Sequence, residues 1–392
     1  MFIFFLLIVE ILTFIVLRDF FYEKSRIKYF FSSAFNGVLT IWLWILVIEA
    51  TLYKGIYDMP VNIWILMNLT GMICAVVAPR IILIIFHFSG KIKRRETGGF
   101  IRSRTGKGLI ISFIIFSIIA GGSLIGRFNF RTEEVTIRIE DLPGELDGLK
   151  IVHLSDLHLV SFYHHHDLLE RLMERVNSYK PDLIINSGDF INYGWREFDR
   201  FDTILVKATG RLGKFAVLGN HDIGTYHPYF TEADREHNIL IMNNLISASG
   251  YKVLNNEFTT IKKGNARIAL IGVITMGQFP NIIFSDLQKA TEGLDSADLK
   301  ILIMHDPNQW GEDVRGKTDI QVSLAGHTHG MQLGILTKKL KWSPARFFYQ
   351  HWHGLYNEGD QFLYVNRGLG VLAIPFRIWM PPEITLIKII SG

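Results

Sequence analysis

Four apolar runs, Phe2–Leu17, Phe35–Tyr53, Val61–Phe88 and Leu109–Ile125, crowd the first 125 of 392 residues. A helix that crosses a bilayer needs ~20 mainly apolar residues, with a range of ~17–25. The second and fourth runs fit that length. The first is short, and the third is long and contains Pro79 and Arg80. The expectation is a four-span helical membrane domain over residues 1–129, with Val61–Phe88 as one tilted helix and Arg80 or His87 near its interface. The first run lacks a basic start and a small-residue cleavage site, so it reads as a span and not a leader. Glu49, Asn62 and Asn68 read as polar groups at helix ends or between helices.

Charge divides at the same place. Residues 1–130 hold 14 Lys+Arg against 6 Asp+Glu, and the remainder holds 27 against 31. The later part is mildly acidic, so no nucleic-acid partner is expected. The basic residues cluster after the first run (Arg18, Lys24, Arg26, Lys28) and after the third (Lys91, Lys93, Arg94, Arg95, Arg102, Arg104, Lys107). Between the second and third runs lies only Lys54. Basic loops stay cytoplasmic. Four spans then place everything after Ile125 outside the cytoplasm, in a multi-pass protein of the cell membrane. Two spans within Val61–Phe88 would invert this. The bilayer itself is thus one expected partner. The basic loop is also open to contact with anionic lipid. The single cysteine, Cys74, excludes an intrachain disulfide and a cysteine-rich zinc site.

From Val135 short apolar runs alternate with amphipathic stretches, the pattern of an α/β domain over residues 130–392. Strands are expected at Val135–Ile139, Leu149–Leu154, Leu183–Ser187, Phe215–Leu218, Arg267–Val273, Ile301–Met304, Gln321–Ala325, Phe362–Val365 and Ile384–Ile390. Helices are expected at His166–Tyr179, Glu197–Thr209, Glu232–Ser249 and Asn281–Ala290. Thirteen of the 14 histidines lie in this part. Five strands run into polar blocks: Asp156-Leu157-His158, Gly188-Asp189, Gly219-Asn220-His221-Asp222, His305, and Gly326-His327-Thr328-His329. Ligand sites gather beyond the carboxyl ends of strands in open α/β sheets. Carboxylates, an amide oxygen and imidazoles suit Mn, Fe or Zn, and so many together suit two ions better than one. The glycines before Asp189, Asn220 and His327 allow turns that aim the next side chain.

The ordered set DxH, GD, GNHD, H, GHTH resembles the calcineurin-like metallophosphoesterases. The likeness runs from Leu142-Pro143 through the HLSDLHL stretch to Val365–Gly370 and Pro381–Ile384, and looks like the bacterial, membrane-associated branch of that family. It implies a two-sheet β-sandwich flanked by helices with a dinuclear site at one edge. It implies two divalent metal ions, one held by Asp156, His158 and His329, the other by Asn220, His305 and His327, with Asp189 between them. It implies hydrolysis of phosphate esters by a metal-bridging hydroxide, with His221 assisting. Asp222 is expected to orient the His221 ring. Two departures stand out. Asn192 replaces an Asp that many members pair with the catalytic histidine, which bears on acid strength. Met331 stands where this branch commonly has Gly, and is expected to narrow the substrate mouth.

The substrate class favoured here is a lipid-linked phosphodiester or diphosphate. Related enzymes include UDP-diacylglucosamine pyrophosphatases of lipid A synthesis, which act on the cytoplasmic face; the loop charges argue against that assignment. A broad extracytoplasmic phosphodiesterase or monoesterase is the enzymatic alternative, and a weakly catalytic metal-bearing receptor or scaffold is the rival. A transporter with a regulatory domain is disfavoured by the few buried charges. His153 is expected to be buried and hydrogen-bonded, and His164–His166 to be a helix entry at the surface. His351 and His353 are candidates for the cleft. The dense rings Trp342, Phe347, Phe348, Tyr349, Trp352 and Tyr356 read either as core, as an apolar wall beside the metals, or as a surface that meets lipid.

Overall fold

The apolar runs of the first third fold as four helices: α1 (Phe2–Phe21), α2 (Arg26–Leu52), α3 (Pro60–Ile92) and α4 (Gly98–Leu124). The computed structural model describes residues 2–52, 55–92, 98–275, 285–337 and 339–392. Lys54, Lys93, Arg94 and Arg95 of the loop-charge reading lie outside the described residues. Three helical stretches are long and apolar enough to cross a membrane: Arg26–Leu52, Pro60–Gly90 and Ser103–Phe128. The expected count of four spans is corrected to three among the described residues. Helix α1 carries Glu10, Arg18 and Asp19 within 20 residues, too much charge for a spanning window. α3 runs through Pro79 as one helix.

The helices form one unit over 1–56 and 65–126, which also includes Ala373–Ile378. Its core joins Leu6 and Val9 of α1 to Leu43 and Val47 of α2 and to Leu69 and Val76 of α3. Arg80 is buried inside this unit. Its Nη1 lies 3.6 Å from Glu10 Oε1, and its Nε donates to Asn36 Oδ1 at 3.1 Å. Trp44 Nε1 donates to the same Glu10 carboxylate at 2.9 Å. A buried charge costs heavily unless it is paired and hydrogen-bonded, and this one is both.

Among the described residues, the second unit, 57–64, 127–372 and 379–392, holds 14 strands. In chain order they are β1 (Arg131–Ile139), β2 (Leu149–Leu154), β3 (Leu183–Asn186), β4 (Gly213–Ala216), β5 (Lys252–Val253), β6 (Glu257–Lys263), β7 (Ala266–Gly272), β8 (Leu299–Ile303), β9 (Val322–Ala325), β10 (Ile335–Leu336), β11 (Lys341–Trp342), β12 (Gly354–Glu358), β13 (Gln361–Val365) and β14 (Glu383–Ser391). One six-stranded sheet has the order β1-β14-β2-β3-β4-β5, the other β12-β13-β9-β8-β7-β6. Both are mixed: β2 to β5 run parallel, as do β7, β8, β9 and β13, while β14 opposes β2, β6 opposes β7 and β12 opposes β13.

Strand side chains alternate between faces. Ile151, Leu183 and Ile185 therefore point to one side and meet Ile268, Ile301 and Leu324 of the other sheet. Val152, Leu154 and Ile184 point to the opposite side, where α5 (His166–Ser178) supplies Leu169, Leu172, Met173 and Val176. That helix has a strong apolar stripe, as its spacing requires. On the far face of the second sheet, Leu302, Leu363 and Val365 pack against Trp310 and Val314. Truncating a buried aliphatic such as Ile185 to Ala costs ~2–5 kcal/mol.

The expected helix Glu197–Thr209 is instead a 3₁₀ turn, Trp195–Phe198, and a single turn α6 (Asp202–Leu205). Asp199 between them adopts φ 43°, which no helix continues through. α7 (Glu232–Ala248) starts at Thr231, whose side chain accepts from the Asp234 amide as an N-cap. Residues 281–284 of the expected helix Asn281–Ala290 lie outside the described residues; beyond them α8 spans Leu287–Thr291.

Candidate metal centre

The parallel strands β2, β3, β8 and β9 each end in a turn that carries a titratable side chain, and the loop after β4 carries the rest. Asp156, His158, Asp189, His327 and His329 all adopt left-handed φ, between 39° and 71°. Such backbone is costly for residues with a Cβ, and it clusters at functional sites. Of the three glycines read as turn-formers, only Gly188 uses a positive φ, 101°. Gly219 is required for space: a Cβ there would strike the Asp189 carboxylate. At Gly326 a Cβ would strike Ser155 Oγ and Asp156 Oδ2.

The turns bring the seven expected ligands together. Ligand atoms of Asp156, His158 and His329 lie within 4.8 Å of one another, as do those of Asp189, His305 and His327. In the first group His158 Nε2 and His329 Nε2 are 3.1 Å apart, and His329 Nε2 is 3.2 Å from Asp156 Oδ1. In the second, His305 Nε2 is 3.2 Å from His327 Nδ1 and 3.0 Å from Asp189 Oδ2. Asn220 Oδ1 stands 2.9 Å from His327 Nδ1 and so belongs with this group. Asp189 Oδ2 is also 3.9 Å from His158 Nε2, which puts one carboxylate between the two groups.

His305 Nδ1 donates to the Ser187 carbonyl at 2.8 Å, which turns Nε2 inward. Such outer bonds fix the tautomer of a ligating imidazole. Burial opposes charge on His305, but Asp189 beside it lifts its pKa to about 10. Burial would raise the Asp189 carboxyl; His305, His221 and His158 instead hold it well below the ordinary range. Burial and the neighbouring His329 depress His158. Facing imidazole nitrogens with two buried carboxylates are a donor set that divalent cations satisfy, so the residues present fit two such ions.

His221 stands beside this cluster. Its Nδ1 is 2.7 Å from the backbone oxygen of Asn192, and its ring stacks on Tyr226 at 4.2 Å. The carbonyl, not the side chain, of residue 192 therefore holds the imidazole, and Asn192 Oδ1 finds no partner among the described residues. Asp222 does not orient the ring, which corrects that expectation. Its carboxylate accepts from the amides of Asp189, Phe190 and Gly219 at 2.7–2.9 Å and of Ile191 at 3.3 Å. It clamps the two loops that carry Asp189 and Asn220. Burial and Asp189 push its pKa up to about 8, against the pull of those amides.

Three features of the site were not read from the sequence. Tyr226 accepts from Asn220 Nδ2 at 3.0 Å. Tyr349, noted only as one of a dense group of rings, places its hydroxyl 3.0 Å from His327 Nε2. The Val365–Gly370 stretch braces the Asp156 turn: Leu369 and Gly370 donate to the carbonyls of Ser155 and Asp156 at 3.0 and 2.8 Å. The signal for this brace was the motif itself, which the resemblance included without a role.

The other candidates lie elsewhere. His153 is buried, with Nε2 2.9 Å from Ser187 Oγ. His164 and His166 are exposed at the start of α5. His351 packs between Trp310 and Tyr356, and His353 stands near Glu383, so neither reaches the cluster. Met331 is 37% exposed, two residues after His329.

Residues 149–331 match the family pattern described as calcineurin-like phosphoesterase. The chain is 29% identical over 268 residues to an uncharacterized metallophosphoesterase of Bacillus subtilis, covering 66% of this chain and 85% of the relative. It is 30% identical over 285 residues to a transmembrane protein with metallophosphoesterase domain of Danio rerio, covering 70% of this chain and 61% of that relative. It is 26% identical over 298 residues to the UDP-2,3-diacylglucosamine pyrophosphatase LpxG of Chlamydia muridarum, covering 62% of this chain and 84% of the relative.

Proposed function

Because this chain is a member of the calcineurin-like metallophosphoesterases, we propose that it is a membrane-anchored enzyme that hydrolyses a phosphodiester or diphosphate bond in a lipid-linked substrate. The observation that carries the catalytic part is the pair of buried Asp/His groups with Asp189 Oδ2 between them. Asp156, His158, His329 and Asp189 would hold one divalent ion, and Asn220, His305, His327 and Asp189 the other. When bound, such ions clamp phosphate oxygens and lower the pKa of water to make a nucleophile at neutral pH.

The chain's own groups do the rest. The Asn192 carbonyl fixes Nδ1–H of His221 and leaves Nε2 to face the substrate. From Nε2 a proton passes to the leaving oxygen, with the Asp189 carboxylate and the carbonyl stabilising the imidazolium that gives it. Asp222 keeps the Asp189 and Asn220 loops in register. The reading as a weakly catalytic scaffold drew on Asn192, and the bond at residue 192 is made by the main chain.

The lipid-linked class is supported by the apolar helices and by the lipid-bearing diphosphate in the name of the chlamydial relative. The domain is proposed to lie outside the cytoplasm. That sidedness does not depend on α1: basic residues precede α2 and follow α3, so three spans deliver the C-terminal domain to the same side as four. Reporter fusions at residue 130 and at the C-terminus test it. The chemistry is tested by supplying Mn to the full chain in nanodiscs with a soluble phosphodiester and with a lipid-linked diphosphate. Turnover of both, lost in His221→Ala, is expected. No turnover of either, with metal shown bound, sinks the enzyme reading.

A further inference from the structure

Between Asp319 and Glu358 the chain has no acidic residue, yet it carries Lys338, Lys339, Lys341 and Arg346, in a domain that is otherwise mildly acidic. The same stretch holds several large exposed apolar groups. Phe347 is 74% exposed and Phe348 is 68% exposed, with Ile335 and Leu340 also open to solvent. Trp379, 64% exposed, joins them from the far end of the chain. These side chains stand on one small buried cluster: Ala345, Trp352 and Met380, with Leu336 and Tyr349 packed against it. The β10–β11 hairpin, the 3₁₀ turn Pro344–Phe347 and the Trp379 segment are therefore one continuous rim. A groove of about 740 Å³ runs beside it, lined by Ile335, Leu336, Trp379, Pro381 and Arg131 among others.

Contiguous exposed rings mark an interaction surface. Rings flanked by Lys and Arg, with the one carboxylate of the groove lining, Glu133, paired to Arg367 at 2.7 Å, match the interface of an anionic bilayer, where aromatic rings sit at headgroup depth and basic residues meet lipid charge. Chain order adds an independent reason. Arg131 of the groove comes three residues after Phe128, where the last apolar stretch ends. An anchored helix would deliver this end of the domain to the headgroup layer.

We propose that this rim docks on an anionic phospholipid bilayer and hands a lipid headgroup to the metal centre. The inference rests on reading the apolar helices as a membrane anchor. The path is short. Tyr349 follows Phe348 directly, and its hydroxyl reaches His327 Nε2 at 3.0 Å. Ser343 Oγ, at the start of the same turn, donates to the Gly330 carbonyl just after His329. Rim and ligand loop are thus tied at two points, so a lipid phosphate lifted slightly from the headgroup plane meets Tyr349 first and the metals next.

The test uses the full chain in nanodiscs of phosphatidylcholine and phosphatidylglycerol. A fluorophore is placed on Phe348→Cys in a Cys74→Ala background, with Lys262→Cys as the control position. Half of the discs carry brominated acyl chains. The docked rim predicts strong quenching at 348 and little at 262, and weaker quenching at 348 when Lys339, Lys341 and Arg346 are all changed to Gln. An unquenched label at 348 overturns the proposal, as does a signal showing that the rim pairs with a second copy. Turnover of a lipid-linked diphosphate is measured on the same samples. Quenching without lipid turnover leaves the rim in place and removes the lipid-substrate reading; lipid turnover without quenching does the reverse.

Discussion

The imidazole of His221 is held by the main chain of Asn192, Nδ1 to O at 2.7 Å, while the Asn192 side-chain oxygen is buried with no partner among the described residues. Replacing Asn192 by Ala keeps that bond. The kcat of Asn192→Ala on a soluble phosphodiester is expected within ~3-fold of the parent, whereas His221→Ala loses ~10²–10⁴-fold, the span of general acid–base catalysis. A loss at Asn192→Ala as large as at His221→Ala would mean that the side chain, not the carbonyl, positions the ring.

Asp222 has both carboxylate oxygens engaged by four amides of two loops. An Asn there turns an NH₂ toward amides that need an acceptor. Each buried group left unpaired costs ~1–3 kcal/mol. Asp222→Asn is expected to lower Tm by several degrees and to weaken metal binding, read by calorimetry and by metal analysis. A variant with parental Tm and metal content but no activity would return Asp222 to a role in the chemistry.

Gly370 lies where a Cβ would strike the Leu157 carbonyl and approach His158 Cβ at 2.8 Å. Gly370→Ala must push the Asp156–His158 turn aside. Loss of one bound metal with the other retained is the expected result, because His305 and His327 lie on different loops. Unchanged stoichiometry by mass spectrometry under native conditions would show that the turn is not braced there.

His353 is largely shielded from solvent, and this burial with Arg367 nearby drops its pKa to about 3; burial likewise drops His153 to about 4. In the unfolded chain both have a pKa of ~6.5. The unfolded state therefore takes up protons first as pH falls, so stability declines from pH ~6.5 downward, by up to ~1.4 kcal/mol per pH unit for each group. Tm of the parent is expected to fall between pH 7 and 4, and His353→Gln to fall less steeply. Parallel slopes for the two proteins would contradict the neutral state of His353.

The sequence carried the site through its order of blocks at strand ends, because strand periodicity and polar turns are properties of side chains. Seven expected ligands meet as two groups sharing Asp189. What it hid is mostly main chain. The Asn192 carbonyl has no signature in residue type, and the amides that occupy Asp222 are invisible until the loops are folded. The break at Asp199 was equally silent, since a left-handed φ at an Asp is a tertiary choice. In the first third, the length of the apolar runs found the helices, but hydropathy alone overrated α1. Its Glu10 turns inward to Arg80 and Trp44, a pairing that no linear window contains.

Paired ions at this cluster are proposed to perform phosphoester hydrolysis. The most direct measurement is turnover of a phosphodiester by the full chain as metal is titrated into the stripped protein, with bound metal counted at each point. Activity is expected to rise to a maximum at two ions per chain, and Asp189→Asn to be inactive and metal-poor. Full activity at one ion or none, or no activity with two ions bound, would contradict it.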